Sequence, residues 1–278
     1  MILIADSGST KTDWCVAEKG GAVLHVSTQG INPFHQDEGT ISGIIEGELM
    51  PRLGGISPES VYYYGSGCRR DKEAMMSGLL GRFFPGSTKI EAHGDLLGAA
   101  RAVCGREEGI ACIMGTGSNS CLYDGREIVR NVPPMGYILG DEGSGAVLGR
   151  NFLNALFKGH LPEPVLDMYM RESGLTLDTI INKVYREPLA NRFLASTSLF
   201  ISRHTDIPEL RRMVVDNFRA HFIRNVAQYG RHDLSVGAVG SVAYYYQDCL
   251  REAAAAEGYE MGRVMRSPMA GLITYHAS

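Results

Sequence analysis

The chain opens with four apolar residues in succession, Ile2-Leu3-Ile4-Ala5, which stop at Asp6 and Ser7. A short apolar run bounded by turn residues reads as a buried strand. Two further runs of this kind, at 13–18 and 22–28, give three strands in a row. A stretch of helical period follows over about 37–53, then a strand at 60–64, a helix at about 70–83, a strand at 88–92 and a helix at about 95–104. After Gly105-Arg106-Glu107-Glu108-Gly109 the pattern restarts. Strands are expected at 109–114, 118–123 and 126–131, with a helix beginning near Ser144. Residues 151–232 read as mostly helical, punctuated by Pro162, Pro164, Gly174, Pro188 and Pro208. A strand at 234–239, a helix at 241–256, a strand near 259–265 and a helix from Pro268 complete the chain.

The pattern is that of an α/β protein built from two halves, residues 1–106 and 107–278. Each half opens with three short strands, and the second carries a helical insertion at about 151–232. The repeat is one of architecture rather than of residue identity. Two facing halves would form a cleft, the usual home of a ligand.

Composition narrows the class. In 278 residues, 44% are hydrophobic and 21% charged, the balance of a soluble protein with a sizeable core. The net charge is −4 and no block of five basic residues occurs, which argues against nucleic acid or an anionic membrane as partner. No apolar run approaches the roughly 18 residues of a membrane span, and no basic segment precedes a short apolar run as in a signal peptide. The six cysteines, Cys15, Cys68, Cys104, Cys112, Cys121 and Cys249, form no CxxC pair. They read as reduced thiols of a cytoplasmic protein, mostly small core residues. Cys112 and Cys121 flank a loop and could face each other across a hairpin, but burial in the core is the simpler reading.

The chemistry is concentrated where strands end. Asp6-Ser7-Gly8-Ser9-Thr10 follows the first strand, and Lys11, Thr12 and Asp13 keep that turn polar. Gly115-Thr116-Gly117-Ser118-Asn119 follows a second strand and Gly240-Ser241 a third. Glycine lets backbone approach an anion closely, and hydroxyl and N–H groups donate to phosphate oxygens. These loops point to a nucleoside triphosphate and to phosphoryl transfer. Asp6 is placed as an outer ligand of Mg²⁺, which binds few carboxylates and keeps its waters. Gly140-Asp141-Glu142-Gly143-Ser144-Gly145 precedes an amphipathic helix, so its acids are either caps or ligand contacts. In His93-Gly94-Asp95-Leu96 the spacing alone favours Asp95 as a helix cap over a general base.

Together, Asp6-Ser7-Gly8-Ser9-Thr10, Gly115-Thr116-Gly117-Ser118-Asn119, Gly140-Asp141-Glu142-Gly143-Ser144 and Val239-Gly240-Ser241 resemble the motifs of N-acetylglucosamine kinases of the BadF/BadG-type ATPase family. That family lies within the actin, sugar-kinase and heat-shock ATPase superfamily. The resemblance runs from residue 2 to about 272, with the motifs in family order. It implies two ribonuclease-H-like domains closing over ATP and a sugar in a central cleft. It implies that Ser9, Thr10, Lys11, Thr116 and Gly117 meet the ATP phosphates and that Gly240 and Ser241 meet the adenosine. It makes Asp95 the catalytic base, where spacing alone favours a cap. It assigns Asn32, Asp95, Ser118, Asn119, Met135, Gly136 and Asp141 to the sugar, with Asp6 on Mg²⁺. One departure bears on the substrate: Pro134-Met135-Gly136 stands where kinases of acetylated sugars often carry Gly-Trp-Gly.

The expected function is therefore ATP-dependent phosphorylation of an N-acetylated amino sugar, N-acetylglucosamine first, by a cytoplasmic homodimer. N-acetylmuramic acid and glucosamine are the alternative substrates. An iron–sulfur ATPase that activates a dehydratase or reductase is a rival, as is a sugar sensor without catalysis.

Overall fold

The computed structural model describes every residue except Ser9, Lys19 and Ser278. It divides into two compact units. The first comprises Met1–Glu107, Asp124–Ile128 and Ser267–Ser278; the second comprises Glu108–Tyr123 and Val129–Arg266.

In the first unit β1 (Ile2–Ser7) is the central strand of a five-stranded sheet. It pairs antiparallel with β2 (Lys11–Glu18), which pairs antiparallel with β3 (Gly21–Gln29). On its other side lie the parallel strands β4 (Ser60–Gly65) and β5 (Lys89–Gly94). Leu3, Ile4 and Ala5 are fully buried, which is why an unbroken apolar run marks this strand. Burying one such Leu or Ile contributes about 1.5–3 kcal/mol.

The single helix expected over 37–53 is three pieces: α1 (Glu38–Ile44), a π-helical turn (Ile45–Leu49) and α2 (Met50–Leu53). Ile41, Ile45, Leu49 and Leu53 are all buried and recur every four residues. An α-helix at 3.6 residues per turn would rotate this stripe off the core; a wider turn keeps it facing inward. Helix α3 (Arg70–Phe83) joins β4 to β5, and α4 (Asp95–Cys104) leaves β5.

The second unit repeats the sheet order, with β6 (Glu108–Met114) central. On one side are β7 (Ser118–Asp124) and β8 (Ile128–Asn131), on the other β9 (Val236–Val239) and β10 (Met261–Met265), parallel to one another and to β6. A short helix α5 (Gly136–Leu139) precedes α6 (Gly145–Phe157). The helical region then comprises α7 (Glu163–Ser173), α8 (Leu177–Tyr185), α9 (Ala190–Ser196), α10 (Ser198–Arg203) and α11 (Pro208–Arg224). The helix expected at 241–256 breaks at Tyr246 into α12 (Ser241–Tyr245) and α13 (Gln247–Ala256). There Tyr246 turns its buried ring inward and its hydroxyl donates to the Ser198 carbonyl.

The terminal helix α14 (Met269–Ala277) differs from expectation in its company: it belongs to the first unit, not to the half that precedes it in sequence. Its Gly271 lies against α4, where a Cβ would fall 2.4 Å from the Ala102 carbonyl oxygen. His276 stacks on Tyr62 at 3.6 Å. Arg101 donates to the Tyr64 hydroxyl, which leaves the Tyr64 proton for His276 Nε2 at 2.8 Å. Among the described residues no helix is long and apolar enough to cross a membrane.

Candidate active site

In the first unit the carboxyl ends of three strands lie level, with Ser7 opposite Gly65 and Gly65 opposite Gly94. Ligands of open α/β sheets collect at such ends. Asp6 and Asp95 therefore share one end of the sheet, and Asp13 is the antiparallel partner of Asp6. Burial, then the charges of Asp13 and Asp95, push the Asp6 carboxyl up to about 7; Lys11 and a hydrogen bond from Ser267 act the other way. Asp13 is itself engaged, by Lys11 Nζ at 2.7 Å and by Ser27 Oγ at 2.5 Å.

Asp95 is not the cap of α4. Gly94 holds that position without a side-chain bond, and Asp95 is the first helical residue. Its carboxyl is raised above the usual range by burial, against hydrogen bonds from the Leu96 and Asp95 backbone amides. The N-terminal amides of a helix favour a carboxylate there.

Asn32 is held by a buried network that no motif in the sequence singles out. Ser7 Oγ donates to the Ile31 carbonyl at 2.8 Å, and Tyr63 Oη donates to the same oxygen at 2.9 Å. The Ile31 amide donates to Ser7 Oγ and to Thr12 Oγ1, both at 3.2 Å. Asn32 Oδ1 accepts from the Phe34 amide at 3.0 Å and fills the space beside Gly67, where a Cβ would lie 2.0 Å from it. Thr10 and Lys11 are exposed on the turn between β1 and β2; the Gly8 amide donates to the Lys11 carbonyl across it. Ser9, expected at the ATP phosphates, lies outside the described residues. The buried hydroxyl of Ser66, just beyond β4, has no partner among the described residues.

In the second unit the loops converge on the N-terminus of α6. The Gly145 amide donates to the Gly115 carbonyl at 2.9 Å and the Ala146 amide to the Thr116 carbonyl at 3.1 Å. Gly240, at φ +127°, lies so close to the Met114–Gly115 turn that a Cβ would come within 2.2 Å of the Met114 oxygen. Thr116, Gly117, Gly240 and Ser241 are thus gathered at one end of β6 and β9, with the Thr116 and Ser241 side chains exposed.

Asp141 sits beside this group. A Cβ on Gly117 would lie 3.0 Å from Asp141 Oδ2. Asp141 has φ +54°, which few residues other than Gly, Asn and Asp adopt readily. Its carboxyl is pushed up to about 6, chiefly by burial and then by Glu142, while the Ser118 amide bonds to the charged form. Met135 and Gly136 also have positive φ, and both are exposed. The cap of α6 is Ser144, whose Oγ accepts from the Val147 amide, so neither acid of this loop is the capping residue. Glu142 instead pairs with Arg224 at 3.1 Å. The Ser118 hydroxyl donates to the Glu142 carbonyl at 2.7 Å, and Asn119 Oδ1 accepts from the Ser120 amide and from Asn131. Both side chains therefore hold the loop as well as edging it.

The cysteines include five buried residues, with Cys112 and Cys121 in the β6 and β7 interior. Among the described residues no group of three or more His, Cys, Asp and Glu is gathered as a metal cluster.

A scan against family models gives no match, nor does a search of curated proteins. Among solved structures the chain is similar to a candidate N-acetylglucosamine kinase from Porphyromonas gingivalis, at 50% identity and a TM-score of 0.96, covering 100% of this chain and 99% of that one. A candidate N-acetylglucosamine kinase from Chromobacterium violaceum matches at 17% identity and TM-score 0.72, over 99% and 98% of the two chains. A glucokinase of the ROK family from Streptomyces griseus, in complex with glucose and AMPPNP, matches at 16% identity and TM-score 0.59, over 98% and 97%. The last two show a shared fold. With half of its residues identical to the first over essentially the whole of both chains, this chain belongs to the N-acetylglucosamine kinase-like family of BadF/BadG-type proteins, in the actin, sugar-kinase and heat-shock ATPase superfamily.

Proposed function

We propose that this chain, an ATP-dependent sugar kinase, transfers the γ-phosphoryl group of ATP to a hydroxyl of an N-acetylated amino sugar, N-acetylglucosamine foremost. The observation that carries the reading is Asp95. It stands just past the carboxyl end of β5, at the same end of the sheet as Asp6, without serving as the helix cap. Its raised proton affinity suits a base that takes the proton of the attacking hydroxyl. A positioned base of this kind adds about 10²–10⁴-fold to rate.

In this reading Thr10, Lys11, Thr116 and Gly117 serve the phosphates, Gly240 and Ser241 the adenosine, and Asn32, Asp95, Ser118, Asn119, Asp141 and the Met135-Gly136 turn the sugar. Asp6 fits a hydrated Mg²⁺: with Asp13 and Asp95 it makes an excess of negative charge that Lys11 and Ser267 offset only in part. When bound, Mg²⁺ supplies neutralisation of the phosphate charge. The protein's own contribution is alignment and charge stabilisation, which phosphoryl transfer chiefly needs.

A coupled ADP-release assay with N-acetylglucosamine, N-acetylmannosamine, N-acetylmuramic acid, glucosamine and glucose tests this. The highest kcat/KM is expected for N-acetylglucosamine. No sugar-dependent ADP release from any amino sugar would overturn it. The cytoplasmic homodimer belongs to the same proposal, and light scattering of the purified protein checks the assembly.

A further inference from the structure

Helix α11 carries polar side chains where a core helix should be apolar. Asn217 and His221 are buried among Val214, Phe218 and Phe222, and Asn225 is buried at the helix end. The spacing 217, 221, 225 puts all three on one face. Buried polar groups cost stability unless bonded, so their partners reveal their use. Those partners lie in the loop that carries Asp141. The Gly143 amide donates to Asn217 Oδ1 at 3.3 Å, and Asn217 Nδ2 donates to the Ser144 carbonyl at 3.2 Å. His221 Nδ1 donates to the Glu142 carbonyl at 2.8 Å. Asn225 and Arg224 hold the Glu142 carboxylate.

The contact is close enough to dictate sequence. Gly143 is at φ +84°, and a Cβ there would lie 3.0 Å from the Cβ of His221. The other side of Asp141 is tied too: its amide donates to the Pro134 carbonyl at 2.8 Å, and its own carbonyl accepts from the Ser144 amide at 3.0 Å. The left-handed backbone of Asp141 is therefore fixed on its C-terminal side by α11 and on its N-terminal side by the 134–140 loop.

We infer that α11, through His221 and Asn217, positions Asp141 for the sugar, with the Glu142 carbonyl and Gly143 amide as the intermediaries. This rests on the reading of Asp141 as a sugar contact. His221 and Asn217 are positioning residues that do not touch substrate.

The test compares His221→Asn with His221→Leu. Asn places an N–H where Nδ1 stands; Leu has similar size and no donor. His221→Leu is expected to raise the KM for N-acetylglucosamine about ten-fold, the scale of one lost hydrogen bond, which leaves the Glu142 carbonyl with the Ser118 hydroxyl as its remaining side-chain donor. The KM for ATP should stay within about two-fold and hydrogen exchange at residues 140–145 should accelerate. His221→Asn should behave as wild type. An unchanged sugar KM in folded His221→Leu, with the wild type active on the sugar, overturns the inference. So do equal rises for sugar and ATP. Should His221→Leu fail to fold, Asn217→Ala carries the same expectations. If the wild type turns over no amino sugar, the substrate reading fails instead. Hydrogen exchange at 140–145 then decides whether α11 holds this loop.

Discussion

Three carboxylates separate by environment, and each makes a distinct expectation. Asp95→Asn keeps the shape of the base and removes its function. It should lower kcat by about 10²-fold or more while nucleotide affinity, measured by calorimetry, stays within a few-fold. Near-normal turnover would remove Asp95 from catalysis. Asp6 has a folded value of about 7, above the ordinary 3.8. The folded state therefore holds a proton that the unfolded chain releases. Asp6 opposes folding increasingly as pH rises from about 4 to 7, and fully above that. In metal-free buffer Asp6→Asn should raise Tm by a few degrees at pH 8 and by little near pH 4. The same variant should need more Mg²⁺ for turnover; an equal Tm difference at both pH values would refute the burial argument. Asp141 takes up its proton near 6. A carboxylate that accepts from sugar hydroxyls loses that ability when protonated. The KM for sugar should thus climb as pH falls below about 6, and this climb should vanish in Asp141→Asn.

At the scale of elements, glycines in the loops have separable reasons. Gly240 combines φ +127° with a Met114 oxygen 2.2 Å from the place of a Cβ, whereas nothing lies within 4 Å of a Cβ on Gly115. Gly240→Ala should cost about 2 kcal/mol or more in urea unfolding, from strain and overlap together. Gly115→Ala should leave stability nearly unchanged and weaken ATP binding, because the added methyl enters open space next to Thr116, a residue proposed to meet the phosphates. Equal destabilisation by both would mean that the two loops are held only for packing. The apolar runs that mark strands β1, β2, β4 and β6 are legible because those strands are buried almost continuously. The π-helical turn is not legible, since a four-residue stripe over one helix and the same stripe over a widened turn are identical in sequence.

At the scale of the molecule, the chain completes its first unit with its last residues. Ser267 donates to Asp6 while its Oγ accepts from the Met269 amide, and α14 lies on α4, the helix that begins with Asp95. Ending the chain at Arg266 should lower the thermal stability of the first unit, speed hydrogen exchange in α4, and abolish turnover. Unchanged exchange in α4 would show that α14 contributes no support there.

The sequence by itself determined the order of strands and helices, the two-half architecture and the polar loops at strand ends, because each follows from local periodicity or from residues adjacent in the chain. It also determined the family, through motifs in series. Tertiary structure decided what depends on residues distant in sequence. It moved α14 into the first unit, made Ser144 rather than an acid the cap of α6, and left the capping position of α4 to Gly94 rather than Asp95. It joined Ser7, Thr12 and Tyr63 behind Asn32, and set His221 and Asn217 behind Asp141. A hydrogen bond between residues 142 and 221 has no local signature: a buried histidine on a core helix reads the same whether it fills space or grips a loop.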